Sequence, residues 1–449
     1  MKIFIRFLLI FILSIYFSIQ NYAQELTRKG TLGIQMQANP KGKGLEVLQV
    51  YENTTAAKLE LQKGDILLTI NNIPYNEVNE LVAAVGKWKA GDEIRAVAKR
   101  DGKAQKLYSK VVGKPFETSE YGTLIYSSVD YDGGKLRTIL ELPNHVENPP
   151  VLFFMQGIGC ASIDYPYHPN SVVKLLIEEI VKNGIAVFRV EKPGMGDSYG
   201  EVGCREMDYP YLVGAFEAAL KELKKIDQFD KNNIFLFGES LSAITAPQIA
   251  NKHSVAGIIA WGGVSKTWFE YSLAQMKDQK MLIGKEVDSM ESKFRAYLPM
   301  FYDFFILQKS KEELENTKAY QGFLGSFLKG DQWRGLHHYR FFQTLNEVDV
   351  LTAYSKVNCP VLALAGDCDI HTIGTAWTKD VAYAVNQGNE GQAEVHIFPN
   401  TTHHYFRVSS VEEYSRRYLN GEISASDMTE AFNVEIGEVT ARWIKTQLE

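Results

Sequence analysis

The sequence has few cysteines, and no two of them form a C-x-x-C pair. Its 449 residues contain four, namely Cys160, Cys204, Cys359 and Cys368. The common structural zinc sites and haem attachment sites need closely spaced cysteines. The sequence therefore gives no support to such a site, and we expect neither a metal nor a cofactor.

The sequence also lacks an excess of positive charge. Its 48 lysines and arginines are outnumbered by 54 acidic residues, which gives a net charge of −6. Nothing in this balance favours nucleic acid or an anionic membrane surface as a partner. A hydrophobic fraction of 45% is typical of a globular protein, and 449 residues predict two or three domains.

A long apolar run occurs at the N-terminus. Lys2 and Arg6 precede the run at 7–19, and polar residues follow up to Ala23. This layout predicts a secretory signal peptide over residues 1–23 and a secreted or periplasmic protein with no membrane span after cleavage. An uncleaved membrane anchor is the alternative, because the segment from Ile3 to Ile19 approaches the ~20 residues that cross a bilayer. An exported protein can keep disulfides, because they persist outside the cytoplasm.

Residues 25–113 have the pattern of a small β-rich domain. The segment at 45–50 alternates with period two, and residues 99–103 suit a hairpin turn. Asn76 is predicted to cap a helix. The apolar face of that helix would consist of Val78, Leu81, Val82 and Val85.

The string A-K-L-E-L-Q-K-G-D-I-L-L-T-I-N at 57–71 resembles PDZ domains, particularly those of bacterial periplasmic proteases. The resemblance covers nearly all of residues 25–113. It implies that a loop with Leu32, Gly33 and Ile34 presents backbone N–H groups to a peptide C-terminus, which pairs with the sheet edge. The alternative is that the domain only packs against the rest of the chain or dimerises it.

Beyond a predicted linker at 113–120, short apolar strands alternate with amphipathic helices. Apolar runs occur at 151–155, 234–237 and 255–261, and a fourth at 185–190 is interrupted only by Arg189. This rhythm predicts an α/β domain over residues 121–449, with a mostly parallel sheet covered by helices on both faces.

The pentapeptide G-E-S-L-S at 238–242 follows one of these strands and opens a helix. This is the strand–turn–helix context of a nucleophile elbow, with Ser240 as the nucleophile. Gly238 is the small residue that the sharp turn requires. Ser242 stands where the G-x-S-x-G pattern has its second glycine.

The segments after the last two strands resemble the acid and base loops of α/β-hydrolases. The resemblance implies that Asp369 is the acid and His403 the base of a triad with Ser240, with Asp367 and His404 as alternatives. The histidine loop begins P-N-T-T, so that an asparagine at 400 replaces the glycine of the family's P-G-x-x-H. Asparagine also tolerates left-handed backbone angles.

The same resemblance implies an oxyanion hole made of backbone N–H groups. One donor is Leu241, and the other is Ile158 in the loop at 156–159. The segment E-K-P-G-M-G-D-S at 191–198 resembles the D-x-R-G-x-G-x-S loop of the family and implies a structural role in bracing the site.

A long insertion at about 266–345 separates the strand at 255–261 from the next one. We expect it to form a helical cap over the serine, with aromatics lining an apolar acyl pocket. The alternative is that most of these aromatics build the core of the cap. They are Trp268, Phe269, Tyr271, Tyr297, Phe301, Tyr302, Phe304, Phe305, Phe323, Phe327 and Trp333.

The positions of the cysteines predict one disulfide. Cys160 follows the oxyanion loop and Cys204 follows the loop after the next strand, so neighbouring strand ends could bring them together; two free thiols are the alternative. Cys359 and Cys368 flank opposite ends of one strand, ~25–30 Å apart, and cannot pair with each other.

Three functions follow from these features. The first is an exported serine hydrolase of carboxylic esters or thioesters, and the second is a serine peptidase of the same fold. The third is a PDZ-based binding scaffold with a vestigial hydrolase. The expected partners are a small acyl-ester or peptide substrate and a peptide C-terminus at the PDZ-like domain.

Overall fold

The structure is a computed structural model that describes residues 26–448, so the predicted signal peptide lies outside the described residues. The chain divides into two compact units, Met1–Phe116 and Glu117–Glu449. No helix in the described part is both long and apolar enough to cross a membrane.

Unit 1 is a small antiparallel β-structure with two helices. Its strands are β1 (Gly30–Thr31), β2 (Ile34–Ala38), β3 (Leu45–Val50), β4 (Ile66–Ile70), β5 (Ile73–Pro74), β6 (Glu93–Arg100), β7 (Lys103–Lys110) and β8 (Val112–Gly113). Its helices are α1 (Thr55–Lys58) and α2 (Val78–Val85). The main sheet has the order β2-β3-β4-β6-β7, which leaves β2 at its edge.

The start of α2 differs from the prediction. Glu77, not Asn76, is the N-cap residue, and it makes no side-chain capping bond. The Asn76 side chain instead accepts a hydrogen bond from Gly44 N at 2.9 Å, because a distant turn offers a free amide there. Leu81 is buried, whereas Val82 is 55% exposed.

Unit 2 contains an eight-stranded sheet. The strands are β9 (Gly122–Tyr131), β10 (Gly134–Pro143), β11 (Val151–Met155), β12 (Ala186–Val190), β13 (Ile234–Glu239), β14 (Gly257–Trp261), β18 (Val361–Gly366) and β19 (Ala393–Phe398). Their spatial order is β19-β18-β14-β13-β11-β12-β10-β9. β10 is antiparallel to both of its neighbours, and the other pairings are parallel.

Helices cover both faces of this sheet, which explains why its central strands are mainly apolar. They include α3 (Val172–Lys182), α4 (Tyr209–Leu223), α5 (Ser242–Ala250), α12 (Ala376–Gly388) and α15 (Glu435–Thr446). Two further helices, α13 (Val411–Asn420) and α14 (Ala425–Glu430), pack with Ile370 and Phe406 in a separate cluster. On β11, Val151 and Phe153 belong to one buried cluster and Leu152 and Phe154 to another. Alternate residues of the strand therefore pack on opposite faces.

The insertion between β14 and β18 is helical, as predicted, but it also holds a small sheet. Its helices are α6 (Trp268–Met276), α7 (Asp278–Leu282), α8 (Val287–Phe305), α9 (Lys311–Glu315), α10 (Tyr339–Leu345) and α11 (Val350–Ser355). The sheet consists of β15 (Leu328–Lys329), β16 (Gln332–Trp333) and β17 (His337–His338). Phe304 stacks on Trp333 with ring centroids 3.9 Å apart, at the centre of an aromatic core.

Four buried charged side chains form a network that includes Glu117, the first residue of unit 2. Glu117 forms a bidentate ion pair with Arg189, at 3.0 and 3.1 Å. Lys174 Nζ lies 3.1 Å from Glu141 and 3.5 Å from Glu117. Glu117, although it falls in the predicted linker, is therefore part of the interior of unit 2.

Candidate active site

Ser240 occupies the tight turn between β13 and α5. Its φ of +52° lies in the left-handed region, which non-glycine residues rarely adopt outside strained turns. A Cβ on Gly238 would lie 2.5 Å from Ser242 O and 2.7 Å from Ala243 Cα. Only glycine fits there, because strand and helix approach each other so closely.

Asp369 and His403 meet at the same edge of the sheet, past the carboxyl ends of β18 and β19. Asp369 Oδ2 lies 2.6 Å from His403 Nδ1. Asp369 Oδ1 accepts hydrogen bonds from the backbone N–H groups of His371 and Thr372, at 2.8 and 2.9 Å. The alternatives Asp367 and His404 are both exposed and form no such pair with each other.

The backbone around His403 is also held in place. Trp261 Nε1 donates to His403 O at 2.9 Å. Asn400, at the position of the family's glycine, has a φ of +54°, as the sequence led us to expect. The histidine loop is thus fixed at its turn and at His403 itself.

The contact between Asp369 and His403 shifts the pKa values of both side chains. Burial alone would lower the pKa of His403, but the charge of Asp369 and its hydrogen bond raise that pKa above the ordinary value. Burial alone would raise the pKa of Asp369, but His403 holds it well below its usual range. Asp369 is consequently an anion able to stabilise a protonated His403.

The loop at 156–159 is anchored through its carbonyl groups. Ser242 Oγ donates to Gln156 O at 2.6 Å. Lys192 Nζ donates to Gly157 O and, at 2.8 Å, to Gly159 O. His337 Nε2 lies 2.7 Å from Ile158 O. Each carbonyl in the loop therefore has a side-chain partner.

The same loop lies directly against the elbow. Gly157 N donates to Glu239 Oε2 at 2.9 Å, and Tyr405 OH donates to Glu239 Oε1 at 2.7 Å. A Cβ on Gly157 would lie 3.1 Å from Ser240 Cβ. This close approach brings the backbone of the loop beside the serine.

A disulfide between Cys160 and Cys204 closes this end of the loop, which confirms the prediction. Cys359 and Cys368 are buried free thiols. His337 lies beside the disulfide, with Nδ1 3.8 Å from Cys160 Sγ. These three side chains are close enough to suit a metal ion, but the disulfide leaves neither cysteine a thiolate with which to bind one.

A cavity of about 370 Å³ lies beside Ser240 and His403. Its lining includes Ser240, Leu241, Ile158 and His403. The insertion and the acid loop contribute Trp268, Tyr271, Ser272, Gln275, Trp333, Arg334, Leu336, Phe342, His371 and Thr372, and Val264, His404 and Tyr418 complete it. Of the aromatics singled out in the insertion, most pack instead into its core.

A larger groove of about 540 Å³ beside Tyr209 contains none of the predicted site residues.

Sequence reasoning missed four residues that shape this site. Glu239 and Lys192 lie within motifs that the sequence singled out, so their position was a signal. Gly262 directly follows β14, and a Cβ there would lie 2.8 Å from His403 Cε1. His337, in the insertion, carries no recognisable signal.

Comparisons with known proteins agree with this architecture. Residues 30–111 match the family model described as PDZ domain. A probable periplasmic serine endoprotease DegP-like of Pseudomonas savastanoi pv. phaseolicola is 34% identical over 103 residues, which cover 23% of this chain and 22% of the relative. One from Pseudomonas putida strain F1 is 38% identical over 82 residues, 18% and 17% of the two chains. The chain thus spans about a fifth of the length of the curated relatives it matches.

Solved structures similar to this chain include three hydrolases. Est1E from Butyrivibrio proteoclasticus is 16% identical, with 66% of this chain and 98% of that chain covered and a TM-score of 0.39. A soluble variant of monoglyceride lipase from Saccharomyces cerevisiae is 14% identical, with 74% and 99% covered and a TM-score of 0.43. Acylaminoacyl peptidase from Pyrococcus horikoshii is 13% identical, with 78% and 50% covered and a TM-score of 0.43.

The strand order of unit 2 carries the fold assignment. In this sheet the second strand is antiparallel to its neighbours, the third and fourth strands exchange places in the spatial order, and the fifth strand leads through a sharp turn into a helix. This is the arrangement of the α/β-hydrolase fold. The chain therefore combines an N-terminal PDZ domain with a domain of the α/β-hydrolase fold.

Proposed function

We propose that this chain is an exported serine hydrolase that cleaves carboxylic esters or thioesters through an acyl-enzyme. Ser240 is the nucleophile, His403 the general base, and Asp369 the residue that orients the imidazole. The observation that carries the proposal is the 2.6 Å contact between His403 and Asp369, in a cavity that His403 shares with Ser240. A serine hydroxyl is a weak nucleophile until a base takes its proton, and this arrangement supplies that base.

The proton moves twice in each half-reaction. His403 takes the proton of Ser240 as Oγ attacks the carbonyl carbon, and the N–H groups of Ile158 and Leu241 receive the developing oxyanion. The protonated imidazole then gives its proton to the leaving alcohol or thiol. Water repeats the sequence on the acyl-enzyme and releases the acid.

The cavity favours a small acyl substrate. Its volume of about 370 Å³ lies at the lower end of the roughly 300–1,000 Å³ of small-molecule sites. Trp268, Trp333 and Leu336 give it apolar walls. A peptidase would use the same triad, so the two functions differ in the substrate that the cavity accepts.

Covalent labelling tests the nucleophile. A fluorophosphonate probe is expected to label the wild type and Ser242→Ala, the latter more slowly because Ser242 anchors the loop. Ser240→Ala should not be labelled at all. Persistent labelling of Ser240→Ala would refute the assignment, and a panel of p-nitrophenyl acyl esters against aminoacyl-coumarin amides separates esterase from peptidase.

We also propose that unit 1 binds a peptide C-terminus. Three observations support this second function. Gly33 has a φ of +73°, and a Cβ there would lie 2.2 Å from Thr54 Cβ, so the loop before β2 requires glycine. β2 lies at the edge of its sheet, where a ligand strand can add. Val82, on α2, is 55% exposed and available to an apolar side chain.

Amidation of the ligand tests this proposal. The full-length protein is screened against a library of free C-terminal peptides, and each hit is remeasured as its C-terminal amide. Affinity should fall at least ~10-fold, because the N–H groups of the loop lose their anion. Equal affinity for both forms would show that the loop does not bind a carboxylate.

A further inference from the structure

The cavity beside Ser240 contains a cation without an acidic partner. Arg334 is half-buried in the turn after β16, and its side chain helps to line the cavity. Its Nη1 donates to Gln275 Oε1 at 3.0 Å, and its Nη2 lies 3.8 Å from Met276 Sδ. The guanidinium carbon is 5.3 Å from the centroid of the Phe327 ring. All three partners are uncharged.

The cavity itself offers no carboxylate. The residues that line it include neither aspartate nor glutamate. The acid of the proposed triad, Asp369, is engaged by His403 and two backbone N–H groups. A positive charge taken out of water without a counter-ion is costly, and proteins pair such groups unless a ligand does so.

Arg334 also acts on another cation of the insertion, Lys280. Burial lowers the pKa of Lys280, and the charges of Arg334, Lys285 and Lys293 lower it further. None of the ion pairs among the described residues involves Lys280 or Arg334. Arg334 therefore has a second cation nearby that repels it, and neither cation has an acidic partner among the described residues.

We propose that Arg334 binds a carboxylate of the substrate, so that the enzyme's substrates are esters that carry a free carboxylate. This inference rests on the proposed function of the same cavity. A guanidinium presents paired N–H donors that match a carboxylate in a bidentate manner, and the contacts with Gln275 and Met276 leave its other donors available. The apolar walls hold the carbon chain between the anchored carboxylate and the ester.

The carboxylate can belong to either half of the substrate, and matched substrate pairs distinguish the two. In the first pair, the mono-4-methylumbelliferyl ester of adipic acid is compared with 4-methylumbelliferyl hexanoate, which places the carboxylate on the acyl chain. In the second pair, the acetate ester of 3-hydroxy-4-nitrobenzoic acid is compared with 2-nitrophenyl acetate, which places it on the leaving group.

The measurement is the ratio of kcat/KM for the charged ester to that for its neutral partner. The wild type should prefer the charged ester of one pair by at least ~10-fold, and Arg334→Gln should lower this ratio by about 10- to 100-fold, as expected for a charge-assisted hydrogen bond. Arg334→Lys should retain part of the preference. The exposed Arg340→Gln, outside the cavity, is the control and should keep the wild-type ratio. No preference in either pair, or an unchanged ratio in Arg334→Gln, would overturn the inference.

A binding experiment separates this inference from the proposed chemistry. The Ser240→Ala protein is titrated calorimetrically with monomethyl adipate and with methyl hexanoate. Monomethyl adipate should bind at least ~10-fold more tightly, and the added Arg334→Gln substitution should remove the difference. If this holds while the wild type hydrolyses neither ester, the proposed function fails and the carboxylate site stands. Equal binding of these two esters, together with equal binding of the acetate ester of 3-hydroxy-4-nitrobenzoic acid and 2-nitrophenyl acetate, refutes the carboxylate site alone.

Discussion

Gly262 and His403 are in such close contact that no side chain fits between them. A Cβ on Gly262 would lie 2.9 Å from Nδ1 of His403 and 3.3 Å from Oδ2 of Asp369. Gly262 also has a φ of +55°, which disfavours other residues. The end of β14 therefore sets the position of the imidazole, although Gly262 has no chemical group of its own to contribute.

Gly262→Ala should consequently displace the imidazole. We expect kcat on a small ester to fall about 100-fold, as a shift near 1 Å in a reacting group can cause. The left-handed backbone also costs alanine roughly 1–2 kcal/mol of stability, so kcat is measured well below Tm. Gly322→Ala is the control, because a Cβ there meets nothing within 4 Å. Wild-type kcat in Gly262→Ala would contradict the positioning role.

The rate should depend on pH through His403. The base acts only when neutral, so kcat/KM falls as pH decreases through the pKa of His403. Because Asp369 raises that pKa, the midpoint of the acid limb should lie above ~6.5, the ordinary value for histidine. In Asp369→Asn the charge that raises the pKa of His403 is absent, so burial lowers this pKa and the midpoint of the acid limb moves to lower pH. We also expect kcat to fall by about 10⁴. The check is kcat/KM across the pH range for both proteins; an unchanged midpoint in Asp369→Asn would contradict the assignment.

Lys192 should matter for rate more than for substrate binding. Burial lowers its pKa to about 7, and it reaches two carbonyls of the loop that carries Ile158. Lys192→Met should reduce kcat about 10- to 100-fold with little change in KM, because a misplaced oxyanion donor acts mainly in the transition state. The exposed Lys182→Met serves as the control. A rise in KM alone would assign Lys192 to binding.

Reduction of the disulfide should slow the enzyme. Dithiothreitol breaks the Cys160–Cys204 bond and frees one end of the same loop, and we expect a several-fold loss of kcat. The double variant Cys160→Ser/Cys204→Ser should be slow from the start and insensitive to reductant. Burial raises the pKa of Cys359 to about 12, which leaves that thiol unreactive. Non-reducing peptide mapping confirms the state of each sample.

The buried charges around Glu117 limit where unit 2 can be cut. A chain that starts at Lys114 keeps Glu117 and should fold with measurable esterase activity. A chain that starts at Tyr121 leaves Arg189 and Lys174 with Glu141 as their remaining buried acid. We expect its free energy of unfolding to be lower by about 3–5 kcal/mol, as for other broken buried pairs. Urea denaturation measures the difference, and equal stabilities would show that Glu117 is dispensable.

The sequence predicted features that depend on local pattern. The elbow at 238–242 is recognisable because a strand, a sharp turn and a helix are consecutive, and Asn400 because few residues tolerate a positive φ. The PDZ motif at 57–71 is likewise a continuous string. Periodicity and turn chemistry act over a few residues, so a single sequence displays them.

Other features depend on contacts between distant residues. Lys192 and Gly157 are 35 residues apart, and His337 and Ile158 are 179 apart. The small sheet β15–β17 has strands of two residues, too short for any period to appear. The side chain of Asn76 accepts a hydrogen bond from an amide 32 residues away instead of capping a helix. Local propensity was overridden in each case by tertiary contacts.

The anchors of the loop at 156–159 have a consequence for the order in which the molecule loses structure. They come from the elbow helix, from the segment after β12 and, through His337, from the insertion. Local unfolding of the insertion alone would release one anchor while the parallel sheet stays intact. Activity should therefore disappear at a lower denaturant concentration than the one at which the parallel sheet unfolds, and catalysis becomes a sensitive reporter of the insertion's own stability.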